Sequence, residues 1–144
     1  MARTDRFRQQ HNDLLKAAGD LQALLNAAEL SKDGSKARTC LASLMGKLVL
    51  HLTSEDQVLY PELTASKDAA VAALARRFST EMQSTTKAVV AYNEKWGTAS
   101  AIKANAPAFI DETKNVLRIL ADRIKRENQE LYAAADKIDG KAFA

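Results

Sequence analysis

Leu41-Ala-Ser-Leu44-Met-Gly-Lys-Leu48-Val-Leu-His51-Leu-Thr-Ser-Glu55-Asp-Gln-Val58-Leu-Tyr60-Pro61 decides how the chain is read. Leu41, Leu44, Leu48, His51, Glu55 and Val58 recur at steps of three and four, the spacing of one helix face. An imidazole and a carboxylate thus sit on an otherwise apolar stripe, one turn apart. Pro61 marks the last turn of this helix or its exit. Working outward, three more stripes have the same period. Phe7, His11, Leu14, Ala18, Leu21, Leu25 and Ala28 define a first helix. Phe78, Met82, Thr85, Val89, Tyr92 and Trp96 define a third, and Val116, Leu120, Arg123, Glu127, Leu131 and Ala134 a fourth.

The punctuation agrees with four helices. Thr4 or Asp5 can cap the first; Ser31-Lys32-Asp33-Gly34 reads as a turn, with Ser35 capping the second. Ser66 can cap the third, with Asp68 in its first turn, and Gly97 stops it. A short helical piece fits 99–104, Pro107 suits the first turn of the fourth helix, and Gly140 ends it. Long helices with short connections give an all-α fold, an antiparallel up-down-up-down four-helix bundle. The chain reads as one domain over 1–144, its core spanning about 4–138.

Composition excludes several alternatives. Of 144 residues, 47% are hydrophobic and 27% charged, and Gly and Pro number only 5 and 2. That suits a globular helical protein and leaves little turn chemistry for a many-stranded sheet. One Cys permits no internal disulfide and no Cys-based zinc site; Cys40 reads as a small buried apolar residue. The net charge of +3 is spread along the chain without aromatic interleaving, so nucleic acid is not an expected partner. No apolar run approaches a spanning helix and the first residues lack a signal-peptide core, so a cytoplasmic, non-membrane protein is expected. No Ser–His–carboxylate or phosphate-loop pattern occurs.

The two histidines, His11 and His51, are then the residues to explain. A weak internal repeat gives them context. Arg6-Phe7 through His11 aligns with Arg77-Phe78 through Met82, and His51-x-x-x-Glu55 through Leu59-Tyr60 aligns with Arg123-x-x-x-Glu127 through Leu131-Tyr132. The first half supplies His11, His51 and Glu55. The second supplies Met82, Arg123 and Glu127 at the matching positions. Bundle cores build di-metal sites from such inward ligands on facing helices. Here the carboxylate recurs in both halves and the imidazoles occur in one.

His11, then His51-Leu-Thr-Ser-Glu55, then Leu59-Tyr60-Pro61, followed by Glu127 and Leu131-Tyr132, resembles the hemerythrin-like family of HHE cation-binding domains over residues 4–135. The resemblance implies a bundle whose centre holds two non-haem irons bridged by carboxylates from the second and fourth helices. Family members bind dioxygen or are linked to sensing of oxygen, nitric oxide or metals. Carried over by position, His11 and His51 would bind one iron, with Glu55 and Glu127 as bridges. The second iron would need histidines where this chain has Met82 and Arg123. An arginine stays protonated and is no ligand. Arg123 is therefore expected to replace the second metal electrostatically, its fork reaching Glu55 and Glu127.

Three functions remain open on the sequence. The first is a hemerythrin-like metal-binding protein, in a sensing or metal-, oxygen- or nitric-oxide-related response. Its centre would hold at most one metal, iron, zinc or manganese, and a small diatomic ligand is a further expected partner. The second is a metal-free bundle that keeps the fold as an interaction scaffold for an unidentified protein. The third and weaker is a mononuclear non-haem iron oxidoreductase; a non-enzymatic role is favoured over it. Met82 reads as packing in preference to a thioether ligand. Tyr60, Tyr132, Tyr92 and Trp96 read as residues closing the bundle ends and core.

Overall fold

Helical periodicity dominates this sequence, and the computed structural model, which describes residues 3–143 with side chains through residue 139, is all-α. Its elements are α1 (Asp5–Gln22), α2 (Ala27–Lys32), α3 (Ser35–Ser54), α4 (Tyr60–Thr64), α5 (Ala69–Lys95), α6 (Ala99–Ala104), α7 (Ala106–Arg126) and α8 (Tyr132–Phe143). Two single-turn π segments, Glu55–Leu59 and Glu127–Leu131, join α3 to α4 and α7 to α8. Four rods result: α1, α3–α4, α5 and α7–α8. α1 packs on α3 and α7, and α5 packs on α4 and α7.

The rods differ from the expected boundaries where a better partner exists for a backbone group. α1 stops at Gln22, so Leu25 is only half-buried and Ala28 is exposed on α2. Asn26 caps the short helix α2 by accepting from Glu29 N–H, and Ser31 and Lys32, expected in a turn, are its last residues. Thr4 occupies the N-cap position of α1, but its hydroxyl donates to Asp136 and leaves the helix uncapped by a side chain. Gly34, not Ser35, is the N-cap of α3, and Asp33 accepts from Ser35 N–H instead. Asp68 caps α5 through Ala70 and Val71 N–H; Ser66 only braces Asp68. The final helix continues through Gly140 to Phe143. Cys40 is half-buried, with burial pushing its thiol pKa up.

The π turns correct the stripes themselves. One additional residue per turn advances the helix phase. Val58, expected inside, is 43% exposed, and Leu59 and Tyr60 are buried in its place. In the second half Ala134 is only half-buried, while Leu131, Tyr132 and Ala135 face inward. α5 begins two turns ahead of Phe78, and Val71 and Ala75 in that stretch pack with Leu63 and its neighbours.

The core divides into two apolar clusters. One gathers Leu14, Leu44, Leu48, Tyr92, Phe109 and Leu120. The other gathers Phe7, Leu59, Tyr60, Phe78, Leu131 and Tyr132. Along every rod the positions between them are 11, 51–55, 82 and 123–127. A layer of buried polar side chains therefore crosses the bundle between two dry regions.

Gly34 has a steric task at the α3 start. A Cβ there would lie 2.5 Å from the Ala99 carbonyl oxygen and 3.1 Å from Ile102 Cβ. Because the first of these is backbone, it cannot rotate away. Gly34→Ala is expected to destabilise the protein by about 1–3 kcal/mol through overpacking. A urea titration with an unchanged midpoint would contradict this.

Candidate metal centre

Four donors meet in the polar layer. His11 comes from α1, His51 from the last turn of α3, and Glu55 and Glu127 open the two π turns. One ligand atom from each lies within 4.8 Å of all the others, and the residues are at most 2% exposed. His51 Nε2 is 2.8 Å from Glu55 Oε1, and His11 Nε2 is 3.6 Å from Glu127 Oε1. The rings of His11 and His51 lie 4.6 Å apart.

Each imidazole is oriented from behind. His11 Nδ1 lies 2.8 Å from Asn128 Oδ1, and His51 Nδ1 lies 2.7 Å from Gln10 Oε1. A carboxamide oxygen only accepts, so each Nδ1 carries the proton and each Nε2 offers its lone pair inward. This is the arrangement that metal-ligating histidines use. It leaves His51 Nε2 and Glu55 Oε1 facing each other as two acceptors, and both are buried without a hydrogen-bond partner. A proton or a cation must lie between them.

The tyrosines cross between the halves. Tyr132 donates to Glu55 Oε2 at 3.0 Å, and Tyr60 donates to Glu127 Oε2 at 3.3 Å. Tyr132 OH also lies 3.2 Å from His11 Nε2. Glu55 and Tyr60 are five residues apart, as are Glu127 and Tyr132. An ordinary α-helix would point such a pair in different directions, and the π turn brings both to one site. Far from merely closing the bundle, these tyrosines belong to the polar layer. Their signal was in the repeat, where each half carries a Glu followed five residues later by a Tyr. Gln10 and Asn128, each adjacent in sequence to a donor, had no signal of their own.

Arg123 points inward, 5% exposed, as its stripe position implies. Its contacts differ from those expected. Nη1 donates to Glu81 Oε2 at 2.9 Å and Nη2 donates to the Phe78 carbonyl. Only Nε turns toward the donor cluster, 3.9 Å from Glu127 Oε1, and no hydrogen bond reaches Glu55. The π turn begins after Arg126, so Arg123 and Glu127 remain one α-turn apart and the guanidinium overshoots toward α5. Its plane lies over the Phe78 ring, 4.5 Å to the centroid, while in the other half Phe7 meets His51 edge-on at 6.2 Å. Each half thus sets a phenylalanine against this position, edge-on to His51 in one and beneath Arg123 in the other. Met82 is 6% exposed and lines the cavity beside Arg123.

Burial and neighbours split the titrations. Burial pushes the His51 pKa down to about 4, with the nearby His11 adding to it. Burial, then the adjoining Glu127 carboxyl, raise Glu55 well above the usual carboxylate range. Burial also opposes ionisation of Glu127, but its interactions with Glu55, His11 and His51 outweigh this and lower it to about 2. Glu55 thus keeps a proton and Glu127 stays ionised, the Glu55 proton bridging to His51 Nε2.

The pH dependence of the metal-free protein follows. Two opposite trends act. Folded His51 stays neutral down to about 4 and folded Glu127 stays ionised down to about 2, while their unfolded counterparts take protons at higher pH, so these groups lose stability as pH drops. Folded Glu55 keeps its proton above the usual carboxylate range, so its contribution is lost as pH rises through that raised pKa. Urea unfolding in chelator across pH 3–9 should show a stability maximum with decline on both sides. A monotonic profile would contradict the proton assignment.

A cavity of about 170 Å³ opens from the cluster along α1, α3 and α7.

No helix of the described residues is long and apolar enough to cross a membrane. Neither the curated proteins nor the solved structures contain a match to this chain. The family model for the hemerythrin HHE cation binding domain matches residues 2–135, nearly the whole chain, so the protein belongs to the hemerythrin HHE cation-binding family.

Proposed function

We propose that the protein binds one metal ion through His11, His51, Glu55 and Glu127, with Arg123 standing where a second cation would otherwise be held. The observation that carries this is the facing pair of buried acceptors, His51 Nε2 and Glu55 Oε1, in a cluster whose imidazoles are both oriented from behind. Two imidazoles with carboxylates suit iron(II), zinc or manganese. A bound ion would supply a Lewis-acidic and, for iron, redox-active centre able to take a small diatomic ligand. The fit extends to one ion only: Met82 and Arg123 add no nitrogen or carboxylate donor. Arg123 contributes fixed positive charge beside Glu127, which two carboxylates would otherwise draw from a second metal. We read the role as sensing, or as a metal-, oxygen- or nitric-oxide-related response.

Elemental analysis of the purified protein and of His51→Ala tests the site. The expected result is about one equivalent of metal in the former and near none in the latter. Equal content in both would overturn it. Uptake should also release the Glu55 proton, so affinity rises with pH. The metal-free scaffold reading is favoured by one observation, the charge balance that Arg123 and a protonated Glu55 already achieve. Metal absent after growth in iron and zinc, with stability unchanged by chelator, would select that reading.

A further inference from the structure

The cavity beside the donors is shaped for something other than a metal. Along α1 its wall runs from His11 to Gln22, about 16 Å at 1.5 Å per residue, and along α7 from Leu117 to Glu127, about 15 Å. For a volume of about 170 Å³ this is a long, narrow slot. Its walls are buried Leu14, Leu44, Leu48 and Leu120. Leu15, Gly19, Gln22 and Ala121 along it are exposed, so the slot opens to solvent between α1 and α7, where the two small residues Gly19 and Ala121 face the opening.

Water is a poor occupant of such a length, because it needs two to four polar partners and the leucines offer none. An apolar cavity of about 150 Å³ takes one molecule of benzene size, so this one has room for about six to eight carbons. Its length favours a chain over a ring. At the end beside the donor cluster Arg123 keeps its Nε–H without a hydrogen-bond acceptor, in a side chain 5% exposed. A terminal oxygen would satisfy it. The Glu127 carboxyl group already lies 3.9 Å from that nitrogen, so an anionic ligand would set a second carboxyl group against the first.

We propose that this slot binds a neutral, unbranched aliphatic molecule of about six to eight carbons, its terminal hydroxyl or carbonyl oxygen accepting from Arg123 Nε–H. The inference goes beyond the metal reading and does not require it, since the slot is built by apolar walls of the chain itself.

The test titrates 1-hexanol into chelator-treated protein carrying ¹³C-methyl methionine. Saturable one-site binding by calorimetry is expected, with the Met82 methyl resonance shifting to a plateau because Met82 lines the slot. Gly19→Phe plugs the mouth without backbone conflict, since a Cβ there meets nothing within 4 Å. It also removes a helix-interior glycine. Ala121→Phe plugs the mouth from α7. Each is expected to weaken hexanol binding at least tenfold while leaving the circular dichroism spectrum and metal content unchanged. Hexanoate and benzene should bind more weakly than hexanol. Non-saturable hexanol binding, indifference to both plugs, or tighter hexanoate or benzene would overturn the proposal. Failure of hexanol in a protein that still takes up zinc rejects the slot alone; loss of zinc uptake with hexanol binding intact rejects the metal site alone.

Discussion

Arg123→Leu is expected to lower the stability of the metal-free protein by about 3–5 kcal/mol, a fall in Tm of roughly 10 °C or more. Glu127 is 1% exposed and ionised, and Arg123 is the permanent positive charge beside it. Removing the guanidinium leaves the buried Glu127 carboxylate beside Tyr60, His11, His51 and Glu55, with no permanent positive charge against it. The Phe78 carbonyl loses its donor as well. The Glu81 contact adds little, because that side chain is 40% exposed and Arg126 also holds it. Arg123→Lys should recover part of the loss. It restores charge but not a planar fork that reaches Glu81 and the Phe78 carbonyl together over an aromatic ring. Denaturant titrations of the three proteins in chelator would measure this. A loss below about 1 kcal/mol for Arg123→Leu would show that the charge on Glu127 is neutralised by other means.

The double variant Met82→His, Arg123→His is expected to raise metal content from about one to about two equivalents per chain. The reason lies in the pseudo-symmetry of the layer. Glu55 and Glu127 open equivalent π turns, and Tyr60 and Tyr132 cross to the opposite carboxylate. Phe7 and Phe78 contact the side chains at the equivalent positions 51 and 123. What the second half lacks is imidazole, and Met82 and Arg123 occupy the places that repeat His11 and His51. Introducing both histidines removes the fixed charge and adds two nitrogen donors against the same carboxylates. Each single variant should stay near one equivalent, because Met82→His alone leaves the cation in place. Elemental analysis with zinc and with iron decides it. A double variant that still takes one ion would mean that the second half is closed by packing and not by ligand loss.

The order of the sequence carried more than its composition did. Two histidines in 144 residues were enough to locate the layer, because both fell on apolar stripes beside Glu55. The repeat named Glu127 and Arg123 as their counterparts. What could not be read was phase. Periodicity counts 3.6 residues per turn, and it put Val58 and Ala134 inside where the π turns put Leu59, Tyr60 and Ala135. A one-residue slip of this kind is invisible in an apolar pattern that tolerates neighbours of similar polarity. It matters here because the displaced residues include the tyrosines that hold the carboxylates.

The sequence by itself determined the helical rods, the inward set of His11, His51, Glu55, Arg123 and Glu127, and the loss of imidazole from one half. These are properties of spacing along one chain, and local hydrogen bonding enforces them. Tertiary structure alone decided what those side chains touch. It turned the Arg123 fork onto Glu81 and Phe78, left His51 Nε2 and Glu55 Oε1 facing each other, and left a leucine-walled slot between α1 and α7. Those outcomes depend on rotamers and on the phase of separate helices packed together, which no single helix specifies.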